Sequence, residues 1–465
     1  MLSTGTIPES FNSIYKALTS VVPNHSLGIP LSLFAGFATT SLFFFTLRDV
    51  CFGGRGVTKS ATWETTSDSG PKSSSKIVPG PLTTQIPTLS SREIFALPYP
   101  PDIFPGARDI PSPYGSTRAY EFGPPIGPMV LLIHGISTPC ISFHSLATTL
   151  AFTYGYRVLL FDLFGRGYSD GVADLPHDER LYTAQILLVL TSSMLSWVRS
   201  GFSIIGFSMG GGIAVDFAVA FPDMVTNVIL LAPGGLIREQ RFGWKGRVMR
   251  KWWFPDALWG WILRRRVNRA YKGALSPPPS SSSSPLQASD LALDDKEDEN
   301  QGQVDSELTT AIPSSSLAKI SFDDTPISPS LPYITVGEVM RWQTQRHQGY
   351  ANAFASSIIY ASISGREETW RRLWGSRGGK IIRDENRLRI REKILVVVGE
   401  WDDVVVAEEL KEDLVRLTDN IDAKDDRHWN FDERVIWEVV KGAGHEFPIT
   451  KGEEVAGLVA KFIGV

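Results

Sequence analysis

Cysteine is almost absent. Cys51 and Cys140 are the whole complement, too few for a disulfide framework, and no Cys/His group has zinc spacing. A reducing compartment suits that usage. Neither sign of charge prevails: 46 Lys+Arg stand against 50 Asp+Glu, which argues against a dedicated nucleic-acid binder, normally a basic domain. No N-x-[ST] sequon follows residue 47. Histidine is scarce enough, at seven residues, that each can be weighed alone. The chain does have length and apolar content. Its 465 residues, 43% hydrophobic, suffice for a large buried core and exclude whole-chain disorder, collagen and a coiled coil.

The first informative stretch is Leu27 to Leu47, LGIPLSLFAGFATTSLFFFTL, with no charge and no polar face. As a helix it would extend about 30 Å, the thickness of a bilayer's hydrocarbon core. It reads as a membrane anchor, too long and too far from Met1 for a signal peptide. Lys16 precedes it, whereas Arg48, Arg55 and Lys59 follow, so the positive-inside tendency puts the C-terminal bulk in the cytosol. Residues 1–52 thus form an anchoring segment. Residues 53–115, rich in Ser, Thr, Pro and Gly up to Arg92, read as a flexible linker.

From Ser116 onward short apolar runs alternate with helical patterns. PMVLLIHG (128–135), YRVLLFD (156–162), FSIIGF (202–207), TNVILLA (226–232), KILVVVG (393–399) and VIWEVV (435–440) read as strands. Their continuous apolarity is what a parallel sheet covered on both faces requires. Glu179 to Arg199, Met209 to Phe221, 407–417 and 453–463 read as helices. The alternation predicts an α/β protein with a mostly parallel, doubly wound sheet. Residues 116–236 and 391–465 form its core, and a cap occupies 237–390, with 276–330 expected to be disordered.

Chemistry concentrates where a strand meets a helix. Gly206-Phe207-Ser208-Met209-Gly210 is a G-x-S-x-G motif directly between FSIIGF and a helical pattern, the context of a nucleophile elbow. Glycines at 206 and 210 let strand and helix approach closely around a strained Ser208. Serine needs a base and the base an orienting acid. His445 lies in the small-residue loop GAGH after VIWEVV, and Asp402 follows KILVVVG, with Asp403 as the rival acid. All three side chains would leave strands at the sheet edge where such folds place their sites. His428, in an acidic stretch, lacks that setting. His134-Gly135 ends another strand, so the Ile136 and Met209 N–H groups become the candidate oxyanion donors. His134 itself reads as structural, bonding backbone behind the loop.

HG after the third strand, DLFGRGYSD (162–170) after the fourth, GFSMGG, LLAPGGL (230–236), GEWDD and GAGH together resemble the α/β-hydrolase fold superfamily. The likeness is to its serine hydrolases of the membrane-anchored esterase and monoacylglycerol-lipase kind. It implies hydrolysis through an acyl-enzyme, no cofactor and no metal, and a carboxylic ester, apolar or lipid, as substrate. Amidases, peptidases and C–C bond hydrolases share the same three residues, and a catalytically silent ligand-binding member is the reading outside enzymes. Two departures stand out. NIDAKDDRHWN (420–430) lengthens the interval between Asp402 and His445, and the cap carries a low-complexity segment, SPPPSSSSSP, beside the acidic DDKEDE. Ahead of it, Arg238 to Lys272 holds eleven basic residues, two acidic ones and five Trp, a composition suited to membrane lipids. The cap region resuming at Val336 is expected to be helical and to cover the site.

Overall fold

Five apolar runs build the centre of an eight-stranded sheet. The computed structural model describes residues 76–242, 265, 324–375, 393–419 and 431–464, all within the unit Lys72–Val465. The strands are β1 (Ala107–Ile110), β2 (Thr117–Phe122), β3 (Met129–Ile133), β4 (Arg157–Phe161), β5 (Phe202–Phe207), β6 (Val225–Leu231), β7 (Ile394–Gly399) and β8 (Val435–Val440). Their spatial order is β8-β7-β6-β5-β3-β4-β2-β1. The pairs from β4 to β8 are parallel, while β1 and β2 join antiparallel at one end. Every residue of β5 and β7 is buried, as expected of strands covered on both faces. The edge strand β8 is only partly buried.

Handedness then sorts the helices. From β3 the chain steps one way to β4 through α1 (His144–Phe152). From β4 onward it steps the other way, through α2 (Glu179–Thr191) and α3 (Met209–Ala220). Right-handed crossovers put α1 on one face and α2 and α3 on the other. The contacts agree, since α2 packs on α3 and α1 on the last long helix, Gly452–Ile463. The connections leaving neighbouring β3 and β5 therefore diverge to opposite faces. Divergence of this kind marks the C-terminal edge as the place where such sheets hold their sites.

Four boundaries differ from the sequence reading. Residues 76–115, expected as linker, belong to the body: Ile77–Val78 pairs with Gly171–Val172, and Ser90 caps a turn of helix in a capping box with Glu93. Tyr99 and Phe104 are buried, Tyr99 edge-on to Tyr168 and to Trp342 of the cap. A segment this poor in hydrophobic period is fixed by single aromatic insertions and by polar ties such as Gly80 N–H to Asp170 Oδ1 (2.7 Å). Second, the helix from Glu179 stops at Thr191 rather than reaching Arg199. Ser192 and Ser193 turn their hydroxyls to the Val189 carbonyl and to Glu121, the local competition that ends helices. Third, within 276–330 the stretch Pro326–Ser328 is a strand, paired antiparallel with Leu331–Thr335. Fourth, the helical stretch 336–363 of the cap is not one helix but two, α4 (Val336–Arg346) and α5 (Tyr350–Tyr360), and a further helix, Glu367–Gly375, follows. Thr335 and Glu338 form the capping box that starts α4. Both α4 and α5 seat on the loop after β4: Gly167 N–H donates to Gln343 Oε1 (2.8 Å), the His347 ring to Ser169 O (2.7 Å), and Asn352 to Val172 O (3.2 Å).

The span Leu27 to Leu47, the low-complexity segment, 420–430 and most of Arg238 to Lys272 lie outside the described residues. Among the described residues no helix is long and apolar enough to cross a membrane. Arg238 and Arg241, the start of the basic stretch, are engaged with acids of the helix Ala407–Asp419. Arg238 pairs with Glu412 and Asp413, and Arg241 with Glu409.

Candidate active site

Ser208 occupies the turn between β5 and α3 with φ 54° and ψ −122°, a conformation costly for any residue with a Cβ. The turn is held from outside. Ser208 N–H donates to Leu231 O (3.0 Å), and its carbonyl accepts from Gly211, Gly212 and Gly234. A Cβ at Gly206 would overlap the Gly210 carbonyl, and one at Gly210 would overlap the carbonyls of Ile133 and His134. The glycines at both flanks are therefore demanded by close packing of β5, α3 and the end of β3.

Three loops converge on this turn. Ser208 Oγ lies 3.0 Å from His445 Nε2, and His445 Nδ1 lies 2.8 Å from Asp402 Oδ2. The second Asp402 oxygen accepts from the N–H groups of Val404 (2.9 Å) and Val405 (2.8 Å). That side chain is fully buried and so fixed as an acceptor. The proton on the ring therefore sits on Nδ1, leaving Nε2 to accept from the Ser208 hydroxyl. Burial works against a charged His445. The Asp402 charge and hydrogen bond, helped by Glu446 and Asp403, outweigh it and raise the pKa above the usual value. The His445 ring also packs on Phe207, centroids 5.0 Å apart. Of the two neighbouring acids, Asp402 is the one bonded to the ring.

Ile136 lies at the end of β3, and Met209 opens α3 with its N–H at the helix N-terminus. Neither N–H donates to a protein acceptor among the described residues, the condition for binding a developing oxyanion. A Cβ at Gly135 would meet Phe207 and Ser208 only at ordinary contact distance. His134 is fully buried. Its Nε2 accepts from Leu163 N–H (2.9 Å), so the proton is on Nδ1, which donates to Gly135 O (2.8 Å). Burial pushes its pKa down to about 3. It joins the ends of β3 and β4.

Two groups escaped the sequence reading. Asp216, two turns into α3, is buried and bonded to Ser362 and Arg366 (2.8 Å) just after α5. Burial raises its pKa despite these partners. Arg166, in the loop after β4, is buried as well. An Asp inside a glycine-rich helix and an Arg inside GRGYS were the available signals; neither states its partner. The arrangement as a whole supplies a hydroxyl, a ring base held in one tautomer and unused N–H donors, the parts of nucleophilic acyl transfer. Among the described residues no His/Cys/Asp/Glu group could hold a metal ion.

Similarity to known proteins agrees with this architecture. A family model described as alpha/beta hydrolase fold matches residues 128–450, and the chain belongs to that family. A serine hydrolase-like protein of Danio rerio is 34% identical over 129 residues, 28% of this chain and 38% of that protein. A human serine hydrolase-like protein is 35% identical over 123 residues, covering 26% and 56% respectively. The chain thus matches less than two thirds of the length of these relatives. Among solved structures, a thermophilic esterase from Thermogutta terrifontis is matched at 16% identity with a TM-score of 0.46, over 77% of this chain and 97% of that one.

Proposed function

We propose that the chain is a serine hydrolase cleaving carboxylic esters through an acyl-enzyme, with Ser208, His445 and Asp402 as its catalytic residues. The observation that carries this reading is the hydrogen-bonded series from Ser208 Oγ through the His445 ring to Asp402. Ser208 Oγ attacks the ester carbonyl as its proton passes to His445 Nε2. The tetrahedral oxyanion accepts from the Ile136 and Met209 N–H groups. Collapse breaks the bond to the alkoxy oxygen, which leaves as the alcohol with the proton from His445. Water, deprotonated by His445, then attacks the acyl carbon and releases the acid and free Ser208. Asp402 holds the ring tautomer and stabilises the imidazolium.

An apolar or lipid ester is the substrate class this reading favours. The apolar run Leu27 to Leu47 would keep the enzyme at a membrane with its body in the cytosol, and the Trp- and Arg-rich stretch after Arg238 suits the same surface. A fluorophosphonate probe tests the core of the proposal: wild type is labelled and Ser208→Ala is not. Equal labelling of both, or none of wild type, overturns it. Turnover of a panel of monoacylglycerols, short esters, amides and C–C substrates assigns the class, and amide turnover above ester turnover would replace esters with amides. Removal of residues 1–50 is expected to release the protein from carbonate-washed membranes. Retention of the shortened protein would end the anchor assignment.

A further inference from the structure

The loop after β4 contains a buried cation that reaches both the oxyanion turn and the cap. Arg166 Nε donates to Ile136 O (3.1 Å), Nη1 to Phe164 O (3.1 Å), and Nη2 to Ser357 Oγ on α5 (2.9 Å). Ser357 Oγ also lies 2.7 Å from the Tyr182 hydroxyl of α2. Every one of these partners is neutral, and among the described residues Arg166 forms no ion pair. A guanidinium taken out of water without a counter-charge survives only where its acceptors are all fixed in place. Its planar fork in turn fixes their relative positions.

The next residue of the same turn is held from the cap directly. Gln343 of α4 donates to Ser137 O (3.1 Å) while its other amide atom accepts from Gly167 N–H. Two consecutive carbonyls, Ile136 O and Ser137 O, are thus gripped by Arg166 and by a cap helix. The N–H of Ile136 belongs to the preceding peptide unit, whose carbonyl, Gly135 O, is bonded to His134 Nδ1; Arg166 and Gln343 fix the two units that follow it and so limit the Ile136 torsions through which that N–H is joined to them.

We propose that Arg166 is a positioning residue for the reaction, holding the Ile136 N–H in line for the oxyanion only while the cap helix bearing Ser357 is seated. This rests on the reading of Ser208 as nucleophile and Ile136 as oxyanion donor. Cap seating and oxyanion stabilisation then become one step, and a substrate that fails to seat the cap is turned over slowly even when bound.

The test compares wild type with Arg166→Met, Arg166→Lys, Ser357→Ala and Gln343→Met on p-nitrophenyl butyrate, with inhibition by a trifluoromethyl ketone, whose adduct places an oxyanion in the same position. Arg166→Met is expected to lose about 10–100-fold in kcat with KM within about twofold, the scale of a small misplacement. Ketone affinity should fall in step. Ser357→Ala and Gln343→Met should each lose about three- to tenfold in kcat. A folded Arg166→Met with wild-type kcat, or one whose loss lies in KM with ketone affinity unchanged, overturns the proposal. Should Arg166→Met not fold, Arg166→Lys and Ser357→Ala decide, and wild-type kcat in both is the refuting result. Fluorophosphonate labelling separates the two failures. Labelling of wild type at Ser208 with an equal rate in folded Arg166→Met sinks the positioning role alone, whereas absence of labelling in wild type sinks the underlying reading and this proposal with it.

Discussion

His134 and His445 stand at the C-terminal ends of β3 and β8, both with two bonded ring nitrogens, and their surroundings drive them in opposite directions. His134 is bonded only to backbone, donating to one carbonyl and accepting from one N–H. Burial without an anion keeps it neutral, its pKa pushed down to about 3. His445 is also shielded from water, yet it faces a carboxylate that is itself fixed by two N–H groups, and its pKa rises. The residue type is the same. The partner decides whether a ring joins two loops or moves a proton.

Exchanging the two rings for alanine should therefore produce the largest divergence. His445→Ala and Ser208→Ala are each expected to lose on the order of 10⁶ in kcat with the fold intact, because residues that act as a unit fail together. His134→Ala should keep Ser208 reactive to a fluorophosphonate while losing about 1–3 kcal/mol of stability in denaturant unfolding, the scale of stranding buried polar groups. A folded but unreactive His134→Ala would erase the distinction.

Asp402→Asn should lower turnover by about 10³–10⁴-fold through the wrong tautomer. Asp403→Asn should stay within a few-fold. The reverse pattern, measured on the same ester, would move the acid to Asp403.

The pH profile sharpens the contrast. In the proposed mechanism the neutral form of His445 is the base, so kcat/KM should rise with pH and level off, its midpoint above 6.5 because the folded pKa is raised. In Asp402→Asn that midpoint should fall. A wild-type midpoint well below 6.5 would contradict the electrostatics described for the site.

The smallest effect concerns stability. Burial holds His134 and His177 at pKa values of about 3 and His347 at about 4, below the value of an unfolded histidine. The unfolded chain takes up these protons first. Their contribution is therefore complete above about pH 6.5 and declines as pH falls toward 4, by up to about 1.4 kcal/mol per pH unit for each ring. His445, with its raised pKa, has the opposite sign: its contribution is complete below about pH 6.5 and is lost as pH rises through the folded value. His134→Gln should flatten the acid decline of Tm; an unchanged slope would show that His134 is reached by solvent.

The sequence made some of this visible because the relevant signals are local. A strand that is apolar throughout, a G-x-S-x-G between strand and helix, and a GAGH loop after a strand each carry their own context. Asp402 was reachable by the same logic, since it follows a strand at a fixed offset. The start of the body was not, because Tyr99 and Phe104 are buried by distant residues and stand singly among prolines and glycines. Nor were Arg166 and Asp216, whose partners lie nearly two hundred and about 150 positions away along the chain, at Ser357, Ser362 and Arg366. Local pattern finds the residues whose neighbours prepare them, and misses those prepared by an insertion.

The turn at Ser208 has a consequence for how such a protein ages in evolution. Its backbone angle of φ 54° suits glycine, which meets no Cβ penalty there. Ser208→Gly should therefore be the sturdier molecule, by about 1 kcal/mol, and wholly inert. A lineage released from the proposed turnover would have a single-step path to a more durable chain, at the cost of the hydroxyl.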